Sequence, residues 1–243
     1  MKLIIMNVKP LVTAVMVTGA HRARYALAEV AVKCFQNQTY PKKELLIINH
    51  GEIQLLNGQP NVRELRVRKA EHETIGDLRN IGLEEARGEF IICWDDDDWY
   101  SPNRIEIQLK AQCEESAVVL SQQIRLNLLN SCALYEKVLT GLAGTILHPR
   151  LVPFRYKSLT RGSDTRFLHC FKNKIIVLDN DPKIYIRTFH GLNIWDGNHI
   201  MHHLKSPDIF NRMDILDEDR TFVRQVLVEH ATTYSRFKAA IRI

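Results

Sequence analysis

No stretch of this 243-residue chain comes near the ~18 consecutive apolar residues that a membrane-spanning helix needs. Glycine and proline are thin, at 11 and 8 residues, and no internal repeat or low-complexity segment is visible. With 45% hydrophobic and 25% charged residues, the composition excludes collagen, coiled coil and disordered chain, and a chain of this length buries a core without staples. Cysteine is scarce and badly spaced for pairing. The five (Cys34, Cys93, Cys113, Cys132 and Cys170) are odd in number, lie at least 19 residues apart, and form no C-x-x-C or Cys/His zinc pattern. They predict reduced thiols and a cytoplasmic protein. The opening MKLIIM is too short for a secretory signal peptide.

Charge is present, but unevenly. Lysine and arginine number 33 against 28 acidic residues, a formal net of +5. Residues 1–149 are almost neutral and residues 191–243 balance, so residues 150–190 hold the excess, with nine basic side chains against three acidic. Such a segment is either a solvated surface or a surface that meets phosphate, on a substrate or on nucleic acid.

Short apolar runs alternate with helical patterns through the first half. Leu11–Val17, Leu45–Ile48, Val62–Val67 and Phe90–Trp94 read as strands. Arg22–Gln36 and Thr74–Ala86 read as helices, the second closed by a C-cap at Gly88, and Pro102 opens a third that runs to Glu114. The alternation predicts an α/β fold with a mainly parallel sheet flanked by helices. Ligands in such folds bind beyond the carboxyl ends of the strands, at Thr18–Arg24, Asn49–Gly51 and Asp95–Asp98. The second half is less regular. Strands are expected at Ala117–Gln122, Gly144–His148, Lys174–Leu178 and Lys183–Phe189, and helices at Ser163–Phe171 and about 219–238.

Asp95, Asp96, Asp97 and Asp98 follow the buried strand FIICW without a spacer. Four adjacent carboxylates repel, and the end of a core strand is a costly place for them unless a divalent cation lies near. An acidic surface loop is the plainer alternative. A calcium loop would put Asp95, Asp97 and Glu106 at its first, third and twelfth positions, but Trp99 and Tyr100 stand where a ligand and a glycine are wanted. Magnesium or manganese bridging a nucleotide diphosphate remains.

Three segments carry a family resemblance. Val12–Gly51 gives a strand, a helix, the link Asn37-Gln38-Thr39-Tyr40-Pro41 and a second strand. Arg79–Ile105 reads RNIGLEEARGEFIICWDDDDWYSPNRI, and GSDTRFL spans Gly162–Leu168. Together they resemble glycosyltransferase family 2, closely over the first 110 or so residues and loosely over 140–195. The resemblance implies a single-domain GT-A (Rossmann-like) fold and a nucleotide-diphospho-sugar donor. It further implies Mn2+ or Mg2+ and a donor-binding half at 1–115. An acceptor half at 116–243 would hold the base and a helical C-terminal extension.

Residue roles implied by the resemblance follow position by position. Asp95 and Asp96 would face the ribose and Asp97 the metal, with Asp98 structural and capping the helix after Pro102. Thr18, His21, Arg24, Asn49 and Arg79 become nucleotide contacts. Asp164 becomes the base that takes the acceptor proton in an inverting transfer, with Ser163 where glutamate is usual. His190 ends KIYIRTFH, where similar sequences show Arg-x-x-His beside the diphosphate; it is a metal or phosphate ligand, or structural. Two features depart from the family or stand outside it. Asn49-His50-Gly51-Glu52 replaces the usual Asp-Asp-Gly-Ser, leaving the base open. His199, His202 and His203 suggest zinc only weakly. Trp94 and Trp99 are expected to pack, with Trp99 able to face a sugar.

The acceptor is open: a glycan, lipid, protein, anionic polymer or, as in phage-type enzymes, a modified DNA base. The alternatives are a sugar nucleotidyltransferase, for which Thr18-Gly19-Ala20-His21-Arg22 is too poor in glycine, and an inactive sugar- or nucleic-acid-binding module.

Overall fold

The computed structural model describes residues 9–19, 21–55, 58–68, 70, 74–195, 205–206 and 210–241. His199, His202 and His203 lie outside the described residues.

β-Branched and leucine-rich runs make the central strands, and short polar turns separate them. β1 (Val12–Thr18) leads through α1 (Arg24–Gln36) to β2 (Lys43–Asn49), then to β3 (Val62–Arg66). α2 (Ile75–Glu85) returns the chain to β4 (Phe90–Cys93). Thr74 and Asp77 start α2 as a reciprocal capping box, the Asp77 carboxylate accepting from Thr74 N at 2.8 Å. After the aspartates come β5 (Trp99–Tyr100), α3 (Arg104–Ala111), β6 (Ala117–Leu120), β7 (Gln122–Asn127) and β8 (Ala133–Val138). β9 (Leu147–Pro149), α4 (Ser163–His169), β10 (Ile175–Leu178) and β11 (Tyr185–Phe189) follow. β12 (Lys205–Ser206), β13 (Phe210–Asp214), α5 (Asp217–Glu229) and α6 (Ala231–Ala240) end the described chain.

The first sheet has seven strands in the order β10-β6-β9-β4-β1-β2-β3. Every pair in it is parallel except those made by β9, which runs antiparallel to β4 and β6. β6, β9 and β10 come from beyond residue 115, so the two halves of the chain build one sheet. Its central strands β1, β2, β4 and β6 are buried on both faces, as continuous apolar runs require, while the edge strands β3 and β10 are partly exposed.

A second, six-stranded sheet, β12-β13-β8-β7-β11-β5, is largely antiparallel and is absent from the sequence reading. The expected 219–238 helix is two helices, broken at His230, and α6 packs on α1.

Gly88 is not a helix cap. α2 ends earlier, with Ala86 in extended conformation. A Cβ on Gly88 would stand 2.6 Å from Thr13 N and 2.7 Å from the Leu11 carbonyl. The glycine lets the turn before β4 lie against β1, and its N–H donates to Thr13 Oγ1 at 2.8 Å.

Candidate active site

β1, β2 and β4 run parallel, β1 and β2 ending in register at Thr18 and Asn49, and the turns that follow the three form one rim. The cleft above is about 220 Å³, with Thr18, Arg24, Arg79, the four aspartates and Asp164 among its walls.

The aspartates do not share one environment. Asp95 is the open one, its side chain 31% exposed, and Arg79 Nη2 donates to it at 3.1 Å. Arg79 also reaches Ser163 Oγ at 3.0 Å, tying α2 to the start of α4. Asp96 is buried, accepting from the Thr18 hydroxyl at 2.7 Å and from Arg24. Burial raises its pKa against the pull of Arg24. Asp97 concentrates three donors on Oδ2: Arg24 at 2.9 Å, His190 Nε2 at 3.0 Å and Asn193 Nδ2 at 3.4 Å. Burial would raise its pKa, but Arg24 and His190 outweigh burial and hold it well below the usual carboxylate range. Asp98 is buried, and its pKa is pushed well up, by burial first and then by the charges of Asp97 and Asp95.

Repulsion in the run is thus eased by Arg24 and Arg79, while burial pushes Asp96 and Asp98 toward their neutral forms. Among the described residues, no three His, Cys, Asp or Glu side chains converge as a metal cage. A cation held largely by substrate phosphates needs only one or two protein carboxylates. Asp97 suits that demand: Oδ2 is taken, while Oδ1 has no hydrogen-bond partner among the described residues.

Several expected residues serve differently. Asp98 does not cap α3; it accepts from Tyr185 OH and, at 2.8 Å, from Thr188 N, both on β11. Asn49 is fully buried. Its Nδ2 donates to the Ile53 carbonyl at 2.8 Å and to Glu64 at 2.6 Å, and its Oδ1 accepts from Gly51 N at 2.9 Å. It shapes the β2 turn, and His50 lines the cleft in its place. His21 is exposed, and its Nδ1 accepts from Ala23 N at the start of α1, away from the cleft walls.

His190 is fully buried. Its Nδ1 accepts from Leu192 N at 3.2 Å, so Nε2 carries the hydrogen and donates to Asp97. Both nitrogens are used, and the ring orients Asp97 instead of offering a lone pair. Trp99 packs edge-on against Phe222, and Trp94 Nε1 donates to the Ala31 carbonyl at 3.0 Å; neither tryptophan faces the cleft.

Asp164 lies in the first turn of α4, and its Oδ1 accepts from Thr165 N at 2.9 Å. A Cβ built on Gly144 would stand 3.6 Å from Asp164 Oδ2 and 3.6 Å from Asp95 Oδ2. The two open carboxylates therefore face each other across a glycine. Arg187 lines the same gap. Burial opposes its charge, and Tyr185, Asp98, Asp95 and Asp164 hold its pKa above the ordinary value. Its one sequence signal is the first position of Arg-x-x-His.

The basic excess of residues 150–190 is mostly elsewhere. Lys174 pairs with Glu115, Lys183 with Asp219, and Arg150 donates to the Gly88 carbonyl. Of the nine cations, Arg161 and Arg187 line the cleft.

Comparison with known proteins bears on the family and the fold. Residues 20–171 match the model of glycosyl transferase family 2. EpsH of Bacillus subtilis (strain 168), named as a glycosyltransferase, is 32% identical over 97 residues, which are 37% of this chain and 27% of EpsH. The S. aureus TarS fragment 1–349 has the same fold. Its complex with UDP-GlcNAc aligns with a TM-score of 0.57 at 16% identity, over 90% of this chain and 66% of that one. Its complex with UDP gives 0.56 at 15% identity, over 74% and 61%. The matches span about a quarter of EpsH and at most about two thirds of the TarS fragment. No helix among the described residues is long and apolar enough to cross a membrane. Because the family match runs from the turn after β1 through α4 and so takes in most of the chain, the protein belongs to glycosyl transferase family 2 and carries a glycosyltransferase domain of GT-A fold.

Proposed function

We propose that this protein transfers a sugar, with inversion, from a nucleotide-diphospho-sugar to an acceptor hydroxyl. The observation that carries the reading is the pair of open carboxylates, Asp95 and Asp164, facing each other across Gly144 in one cleft. The donor half is residues 1–115 and the acceptor half residues 116–243, within one domain. That TarS has been solved with UDP and with UDP-GlcNAc supports a nucleotide-sugar donor here.

Asp95 meets the ribose. Arg24, beside Asp96 and Asp97, and Arg79, which bonds Asp95, fix the floor on which the nucleotide lies. Asp97, through Oδ1, would hold Mn2+ or Mg2+, which when bound neutralises charge on the leaving diphosphate. Asp164 takes the acceptor proton as the hydroxyl oxygen attacks the anomeric carbon, and the bond to the β-phosphate oxygen breaks with its electron pair going to the diphosphate. Arg187 places positive charge beside that departure. The free cysteines suit a reducing compartment, and we assign the protein to the cytoplasm.

The test is nucleoside diphosphate release from a panel of nucleotide-sugars, with Mn2+ or Mg2+ and after chelation. One donor should be bound and slowly hydrolysed, and chelation should suppress both binding and hydrolysis. If no donor is bound or turned over, the reading fails.

A further inference from the structure

α3 buries a charge that no carboxylate answers. Arg104, its first residue, is fully buried and forms no ion pair among the described residues. A buried cation is costly and persists only where other groups replace its water. Here aromatic faces and backbone carbonyls do so. The guanidinium carbon lies 4.5 Å from the ring centre of Tyr100, 5.1 Å from that of Trp94 and 5.6 Å from that of Tyr185. Nη2 donates to the Cys93 carbonyl at 2.9 Å and to the Thr145 carbonyl at 3.3 Å. Gln108, one turn further and also fully buried, accepts from Arg104 Nε at 3.0 Å and donates to the same Thr145 carbonyl at 2.7 Å. Nη1 has no partner among the described residues.

Each of these contacts leads toward the gap between the open carboxylates. Cys93 ends β4 two residues before Asp95, and Thr145 follows Gly144, across which Asp95 and Asp164 face each other. Tyr100 OH donates to the Asp95 carbonyl at 3.0 Å, and Tyr185 OH donates to the Asp98 carboxylate. The two tyrosine rings stack, with centres 5.5 Å apart. Arg104 therefore backs the aspartate turn from both ends and ties it to the segment that carries Gly144. It lines neither the cleft nor an adjoining chamber of about 320 Å³, which shares Asp95, Asp164 and Arg187 with the cleft. Any effect on the chemistry must pass through the groups it holds.

The residue type matters. A planar guanidinium lays its face on rings while its edge reaches the Gln108 amide and both carbonyls, which a lysine ammonium cannot do at once. Gln108 keeps its own bond to Thr145, so removing Arg104 loosens the tie without severing it.

We propose that Arg104 is a positioning residue for the transfer: by holding the Cys93 and Thr145 carbonyls together, it sets Asp95 in place against Asp164. The inference rests on the transfer reaction proposed above.

The experiment compares Arg104→Met, Arg104→Lys and Val226→Ala with the wild type, using Mn2+ and whichever of a panel of UDP-, GDP- and dTDP-sugars the wild type binds. Methionine keeps an unbranched chain against the rings and loses every hydrogen bond; lysine keeps the charge and one donor group. Val226, buried on α5 and away from the cleft walls, supplies destabilisation alone. Calorimetry gives donor affinity, nucleoside diphosphate release gives kcat, and the thermal midpoint reports folding. Arg104→Met should bind donor within about fivefold of the wild type, the weakening of one hydrogen bond, while kcat falls about 100-fold. Arg104→Lys should recover about tenfold of that loss. Val226→Ala should lower the midpoint and leave kcat unchanged. Wild-type kcat in Arg104→Met, an equal loss in Val226→Ala, or a lysine variant no better than methionine would overturn the inference. Should Arg104→Met fail to fold, Arg104→Lys decides: a tenfold lower kcat with donor still bound supports the inference, and an unchanged kcat overturns it. A wild type that binds no donor would overturn the transfer reading itself, and this inference with it.

Discussion

Burial decides which titratable groups of this protein keep their charge. Asp97 stays ionised because Arg24 and His190 are within 3.0 Å of one oxygen, while Asp98, more deeply buried and beside the charges of Asp97 and Asp95, is driven toward its neutral form. His148 on β9 is a cleaner case. It is fully buried, its ring lies edge-on to Phe167 at 5.0 Å, and its Nε2 has no hydrogen-bond partner among the described residues. Burial lowers its pKa to about 4 from an ordinary 6.5. Between these two values the unfolded chain binds the proton and the folded chain does not, so stability falls as pH drops through that window. The contribution is about 3 kcal/mol. Urea unfolding from pH 7 to pH 4 should show this decline, and His148→Gln should remove most of it. An unchanged slope in that variant would mean that His148 is accessible to the proton in the folded state.

At the scale of elements, the site depends on how closely β1, α2 and the turn before β4 approach one another. Gly88→Ala would press a methyl against backbone atoms of Leu11 and Thr13 that cannot rotate away. It should cost about 1–3 kcal/mol, visible as a lowered thermal midpoint, and an unchanged midpoint would refute the close-approach argument. The β1–α1–β2 and α2–β4 units are legible in the sequence because their apolar residues recur at the periods of buried strands and helices. The second sheet is not. Its β7 buries both faces: Ile124 and Leu126 on one, and on the other Gln123 and Arg125, which both donate to Glu136 of β8, so a reading of apolar alternation misses the buried polar face. β5 has only two residues, too few for any period to register. Within the site, the aspartate run, Arg79 and Asp164 are marked by local motifs. Asn49 and His50 are harder to separate, since nothing in adjacent residue types says which side chain the β2 turn will consume.

At the scale of the molecule, the mainly parallel sheet carries the aspartates and the largely antiparallel sheet supplies Arg187 and the floor of the second chamber, with Asp164 on α4 between the two chambers. The +5 net charge says little about the acceptor, because most of the basic residues behind it lie away from both chambers. The proposed function divides the labour: one chamber would bind the donor, and one carboxylate at its boundary would take the proton. Asp164→Asn keeps size and hydrogen bonding while removing the base, so it separates the two functions. The decisive measurement is therefore donor affinity and sugar transfer in Asp164→Asn beside the wild type. The account predicts donor affinity within about twofold and transfer reduced by about 100-fold or more. Transfer close to the wild-type rate, with donor still bound, would contradict it.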